Sequence, residues 1–193
     1  CKEMPDEHQP SYPMQHLYMD AAVINDVDAC GGCKYLIIIR ERPTNLRGYY
    51  AVMKLEEAAD CLVDFIETHK PYLNDHRAFE KHKLIVRPDG EQGAFGEAFK
   101  AAARLQGYIV EPSLPNCPDE NLAEWGVNEV KRKAVTLLED GGIPVKYFPL
   151  ALKYISQMAC MLGTTGNENC MSPLERATGK RVHLEELIPL FTL

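Results

Sequence analysis

His16-Leu17-Tyr18-Met19-Asp20-Ala21-Ala22-Val23-Ile24 is the stretch on which the fold turns. In an extended chain alternate side chains share a face. Leu17, Met19, Ala21 and Val23 therefore lie on one side, and Tyr18, Asp20, Ala22 and Ile24 on the other. Both sides are apolar apart from Asp20, the pattern of an inner strand in a sheet covered on both faces. An ionised carboxylate in such a strand is costly unless it is paired, hydrogen-bonded or bound to a cation. Asp20 is the first candidate functional residue.

Outward from this strand, Asn25 to Gly32 reads as a turn. Lys34 to Arg40 and Gly48 to Lys54 read as two further β-rich runs, connected at Pro43-Thr44-Asn45. Glu56 to His69 has helical spacing, with Ala59, Leu62, Val63, Phe65 and Ile66 as its apolar stripe and acids in its first turn. Leu84-Ile85-Val86 is a short buried strand ended by Pro88. Ala94 to Gln106 is amphipathic and closes at Gly107, a glycine just past the helix end. Tyr108 to Val110 is a fifth strand. Pro118 opens a long helix to about Glu139, with Asp119 and Glu120 in its first turn and Gly141-Gly142 beyond it. A further helix covers Val145 to Leu162, and Ser172 to Leu193 is mixed. The order β-β-β-α-β-α-β-α-α predicts an antiparallel meander to which parallel strands are added. That is the order of an RNase H-like α/β fold, a five-stranded mixed sheet flanked by helices. Residues 1–15 then form an extended leader, 16–163 the core, and 164–193 a C-terminal extension of it.

Composition narrows the function classes. With 193 residues, 46% of them hydrophobic, the chain is long enough for one well-buried core. Its longest apolar run, Tyr35 to Ile39, is strand-sized, so no membrane partner is expected. The polar start Cys1-Lys2-Glu3-Met4-Pro5-Asp6 is not a signal peptide, and without an initiator Met it reads as a piece of something larger. Seven scattered cysteines, an odd number, argue for a reducing intracellular compartment, nuclear or cytoplasmic, over a disulfide framework. The formal net charge is −7. A nucleic-acid enzyme with that balance needs cations from other domains or subunits, because phosphate affinity is largely electrostatic. No Gly-rich nucleotide loop and no nucleophile elbow is present.

Two further acids join Asp20. Asp89, in Arg87-Pro88-Asp89-Gly90, sits just past a buried strand, where a strand end presents its side chain to a cleft. Glu124 lies early in the long helix. If the first strand is central and the fourth lies beside it, Asp20 and Asp89 are neighbours, and a helix across that edge brings Glu124 to the same point. Three clustered carboxylates offer hard oxygen ligands to Mg²⁺ or Mn²⁺, with positions left open for water and phosphate oxygens. Two such ions serve an in-line displacement. The plainer alternative makes each a solvated or capping acid, drawn from the 28 in the chain.

The residues also carry a resemblance. His16-Leu17-Tyr18-Met19-Asp20, Gly32-Cys33-Lys34-Tyr35, Arg87-Pro88-Asp89-Gly90, Ala123-Glu124, Gly142-Ile143-Pro144, Ser172-Pro173-Leu174-Glu175 and Thr178-Gly179-Lys180 follow one another in order. With them the chain, from about His16 onward, resembles the integrase catalytic core of copia-type LTR retrotransposons. Asp89 and Glu124 are 35 positions apart, close to the D,D-35-E spacing of such integrases. The resemblance implies Asp20, Asp89 and Glu124 as catalytic metal ligands. It implies two Mg²⁺ or Mn²⁺ ions with substrate bound, 3′-end processing, and transfer of the processed ends of the element into a target DNA. It implies a homo-oligomer as well, since joining two DNA ends takes two active sites. Asn128 and Lys131, four and seven residues after Glu124, share its helix face. They are the candidate DNA contacts, Lys131 to a phosphate; a solvated helix-face lysine is the alternative.

The sequence departs from the family pattern at three places. Ala21-Ala22 follows Asp20 where the family has Gly-Pro. Arg40-Glu41-Arg42-Pro43 replaces an acidic turn. Trp125-Gly126-Val127-Asn128 replaces the basic run after the third acid, and Gly126 inside a helix costs about 1 kcal/mol relative to Ala. These changes bear on DNA affinity more than on metal binding. Two alternatives stay open: a domesticated or inactive integrase-derived domain used as a protein- or DNA-interaction module, and an RNase H-type nuclease. Among lesser signals, Cys30-Gly31-Gly32-Cys33 lacks a second pair at zinc-finger spacing, and Cys1 alone holds nothing, though a zinc module could precede it. Cys61 and Cys160 fall on apolar helix faces and read as core. Lys131-Arg132-Lys133 reads as an import signal or as plain helix surface.

Overall fold

A computed structural model of the protein describes residues 10–24, 29–73, 83–89, 95–111, 124–183 and 185; the side chains at 72, 124 and 125 are outside that description. Five strands, β1 (His16–Val23), β2 (Tyr35–Glu41), β3 (Arg47–Val52), β4 (Leu84–Pro88) and β5 (Tyr108–Val110), form one sheet in the order β3-β2-β1-β4-β5. The first three run antiparallel, and β4 and β5 are added parallel to β1. The expected meander with parallel additions is what forms, with β1 at the centre.

The two-sided apolar pattern of β1 has its cause in packing. Leu17 and Met19, with Ile37 and Ile39 of β2, face one core, which α1 (Ala58–His69) and α2 (Glu97–Leu105) cover through Leu62, Phe65, Ile66, Phe99 and Ala103. Tyr18 and Ile24, with Leu36 and Ile38, face a second core under α3 (Glu124–Asp140) and α4 (Phe148–Met161), closed by Val130, Ala134, Leu138, Ala151, Leu152 and Ile155. Burying each large side chain of this kind contributes roughly 1.5–3 kcal/mol. On β3 the core tolerates only glycine at position 48. A Cβ there would stand 2.7 Å from the Phe65 ring and 2.8 Å from that of Tyr50. Cys61 and Cys160 are buried core residues, as their helix faces imply.

Element ends depart from the sequence expectations. α1 is preceded by a 3-10 turn, Leu55–Glu57, in which Glu57 Oε1 accepts from the Lys54 backbone N–H at 2.7 Å. α2 begins at Glu97, after Gly96 in extended conformation, later than Ala94. The start of the long helix at Pro118, the leader up to residue 9 and the tail from 186 lie outside the described residues. The stretch read as mixed contains a short helix, α5 (Pro173–Thr178), with a complete capping box. Ser172 Oγ accepts from Glu175 N–H at 3.1 Å, and Glu175 Oε2 accepts from Ser172 N–H at 3.0 Å. Pro173 opens the helix, and Gly179, at φ 65°, closes it.

Asn167 ties this segment to the β2–β3 turn. Its Nδ2 donates to the Thr44 carbonyl at 2.9 Å, and its Oδ1 accepts from Asn45 at 3.1 Å and from Arg176 at 2.9 Å. The same turn buries a carboxylate completely. Glu41 accepts from the Met14 N–H at 3.0 Å, the Thr44 N–H at 2.7 Å and the Thr44 hydroxyl. Among the described residues no helix is long and apolar enough to cross a membrane.

Candidate functional site

The parallel register of β1 and β4 brings two of the three acids together. Leu17 pairs with Val86, Tyr18 with Arg87 and Met19 with Pro88. Pro88 has no N–H to give, and the ladder continues one residue on, where the Asp89 N–H donates to the Met19 carbonyl at 2.8 Å. Asp20 and Asp89 stand next in that register, on strands about 5 Å apart. Both are partly exposed at the C-terminal end of the parallel pair. Asp20 Oδ1 also accepts from the Ala21 N–H at 2.7 Å, which orients the carboxylate.

On the other side of β1, the Cα partner of Asp20 is Ile38. The first turn of α3 lies over that residue: a Cβ on Gly126 would meet Ile38 Cδ1 at 3.7 Å and Cγ2 at 3.8 Å. Glu124 opens this helix two residues earlier. Its backbone therefore begins beside the Asp20–Ile38 pair, while its side chain is outside the described residues. Among the described residues no three His, Cys, Asp or Glu side chains are grouped to hold a metal ion. That search reaches Asp20 and Asp89 but not the carboxylate of Glu124. Two carboxylates on adjacent strands do fit a hard divalent cation in donor type.

Contacts at Gly126 of 3.7–3.8 Å are ordinary van der Waals distances, so a methyl group has room there. Gly126→Ala is expected to stabilise the protein by about 0.5–1 kcal/mol, since the helix gains propensity and the unfolded chain loses freedom. Urea unfolding measures it; a loss of stability would show that the helix start is packed more tightly than these distances.

Lys131 Nζ donates to the Val23 carbonyl at 2.6 Å, fastening α3 to the end of β1, while Asn128 is exposed. Cys30 to Gly32 forms a 3-10 turn with Gly31 at φ 79°, before Cys33, whose thiol donates to the Ala51 carbonyl at 3.6 Å. The sequence reading passed over a group of charged residues one row below the acids. Arg42 and Arg87 both donate to the Tyr18 hydroxyl, at 3.1 and 3.5 Å. His16, almost fully buried, lies among their charges. The signal was present, because residues two apart on a strand share a face and Arg87 precedes Asp89 by two.

No family model matches the chain, and no curated protein matches it. Among solved structures it is similar to the catalytic core domain of BIV integrase. The TM-score is 0.58 at 12% sequence identity, over 86% of this chain and 95% of that one. At that identity the likeness shows the fold: a mixed five-stranded sheet with flanking helices, RNase H-like, as the order of elements predicts.

Proposed function

We propose that this chain is an integrase-type polynucleotidyl transferase of the copia retrotransposon kind, with residues 16–163 as its catalytic core and 164–193 as an extension. Asp20, Asp89 and Glu124 would hold Mg²⁺ or Mn²⁺. One observation carries the reading: the β1–β4 register sets Asp20 beside Asp89 where the pairing of those two strands ends, with the first turn of α3 packed over Ile38, the cross-strand partner of Asp20. The likeness of fold to an integrase core supports it. Divalent ions, when bound, would activate the attacking oxygen and stabilise the leaving one at a phosphodiester. The chain's own contribution is placement. A central strand and its parallel neighbour fix two carboxylates side by side, and Lys131, on the Val23 carbonyl, holds the helix that bears the third. DNA is the proposed substrate, both as element ends and as target, and a homo-oligomer the proposed assembly.

A second reading, an inactive integrase-derived interaction module, draws on the net charge of −7 and on Trp125-Gly126-Val127-Asn128 where the family is basic. Thermal melting with Mn²⁺ or Mg²⁺ separates the two. At tenfold excess over Kd, a metal that binds only the folded state adds about 1.4 kcal/mol. In a chain of this size that is a rise of about 3–5 °C. The wild type should show the rise and Asp89→Asn should not. Equal responses in both would remove Asp89 from any metal site.

A further inference from the structure

We propose that Arg42, Arg87 and His16 form an oxyanion subsite on the α3/α4 side of the sheet, built to take a phosphate group. The register sets Arg87 beside Tyr18, and the Tyr18 hydroxyl receives both guanidiniums, Arg42 at 3.1 Å and Arg87 at 3.5 Å. A single neutral oxygen thus holds two cations, which repel each other at that separation. Glu111 offsets only part of this charge, because it accepts from Arg87 at 3.4 Å while also pairing with Lys83. Arg42, Arg87 and Lys83 thus gather three cations in a chain whose net charge is −7, with Glu111 paired to Lys83 and Arg87.

His16 supplies the second observation. The residue is 3% exposed, and its Nδ1 is buried without a hydrogen-bond partner among the described residues. Such nitrogens are rarely left dry. Burial first, then the charges of Arg87, Arg42 and Lys83 on or next to the strands beside it, hold the imidazole down to about 4, with Glu111 opposing. At neutral pH the ring is therefore uncharged, with one N–H to give. A phosphate oxygen between the guanidiniums would accept from both, in the planar geometry that arginine offers to phosphate, and the ring would donate alongside. At the edge of the cluster the Lys83 side chain is 56% exposed, and that of Arg87 18%.

Location gives the subsite a use. Tyr18 precedes Asp20 by two residues and Arg87 precedes Asp89 by two, so the cluster lies about 7 Å below the acids on the same face. A phosphodiester chain with one phosphate at the acids brings a neighbouring phosphate to the arginines. The binding itself does not depend on metal at the acids, so the two readings fail separately.

The test titrates the wild-type chain with inorganic phosphate and, separately, with a short single-stranded oligonucleotide, against chloride at equal ionic strength. The ring signals of His16 and the Nε–H signals of Arg42 and Arg87 are followed by NMR. Saturable shifts at all three are expected with phosphate, together with an upward shift of the His16 titration. Arg42→Gln should weaken the response about tenfold or more. Asp89→Asn, which tests the metal reading, should retain it. Tighter binding of the oligonucleotide identifies a nucleic-acid backbone as the source of the phosphate, and a response to phosphate alone identifies the free ion. No saturable shift with either probe in the wild type, or shifts unchanged in a folded Arg42→Gln, would overturn the proposal.

Discussion

Asp20→Asn is expected to lower divalent-metal-dependent strand transfer by about 10³-fold or more while the apo protein melts at the same temperature or slightly higher. The two effects have one source. Asp20 and Asp89 stand next in register on adjacent parallel strands, and like charges set opposite one another in a sheet are destabilising. Removing one charge relieves that repulsion. Asparagine keeps an oxygen at the Oδ1 position, so the hydrogen bond from the Ala21 N–H survives. The same change removes a hard anionic ligand from the place where the proposed ions sit. Deleting a single electrostatic stabiliser in an active site costs about 10²–10³-fold, and loss of a shared metal ligand should cost at least as much. An acid kept for structure behaves in the opposite way: its loss lowers the apo melting temperature and leaves turnover of the folded fraction intact. A strand-transfer assay with a labelled DNA end, run beside apo melting curves, distinguishes these outcomes. A destabilised but active Asp20→Asn would end the catalytic assignment of this residue.

How much of this was legible in the sequence depended on periodicity. Alternation along His16–Val23 was enough to assign both faces of β1, because a two-sided core leaves a polar residue conspicuous, and Asp20 was that residue. Strand adjacency followed from element order, and with it the expectation that Asp20 and Asp89 are neighbours. What periodicity does not encode stayed hidden. Helix ends are set by single hydrogen bonds, such as Glu57 to Lys54, and shift by a turn without altering the apolar stripe. Helix α5, six residues long, is too short to show a stripe at all. Its Ser172-Pro173-Leu174-Glu175 box was readable, yet those residues served only as an anchor of the resemblance. Arg87 stands two residues before Asp89, on the same face of its strand. Its meeting with Arg42 on the Tyr18 hydroxyl needs the parallel register, which no local pattern states. Within Arg40-Glu41-Arg42-Pro43 the burial of Glu41 was equally hidden, because one of its donors, the Met14 N–H, lies 27 residues back in the chain.

That buried Glu41 carries the second large expected effect. Between about pH 4.5 and 6.5 wild-type stability should rise only gently, and Glu41→Gln should steepen the rise. Burial raises the Glu41 carboxyl from 4.5 to about 7, against hydrogen bonds from Thr44 and Met14 that favour the anion. The folded state then binds more protons than the unfolded one between those values, so this group's contribution is fully present below about pH 4.5 and lost as pH rises to about 7. Its size is on the order of 3 kcal/mol. His16 works the other way. Burial and its arginine neighbours lower it from 6.5 to about 4, so its contribution is present above about pH 6.5 and lost as pH falls toward 4, with a similar magnitude. His69, lowered mainly by burial, adds in the same direction as His16. In the wild type the Glu41 slope offsets much of the rise that the two histidines impose. Glutamine at 41 does not titrate, and its amide cannot accept from all three donors that the carboxylate serves. Glu41→Gln should therefore be destabilised by about 1–3 kcal/mol or more at pH 7. Its remaining stability should rise from about pH 4.5 to 6.5, because His16 and His69 then act without the opposing slope of Glu41. Urea unfolding of both proteins across that range reads the difference directly. Parallel curves would mean that Glu41 is ionised throughout, held by its donors more strongly than burial opposes it.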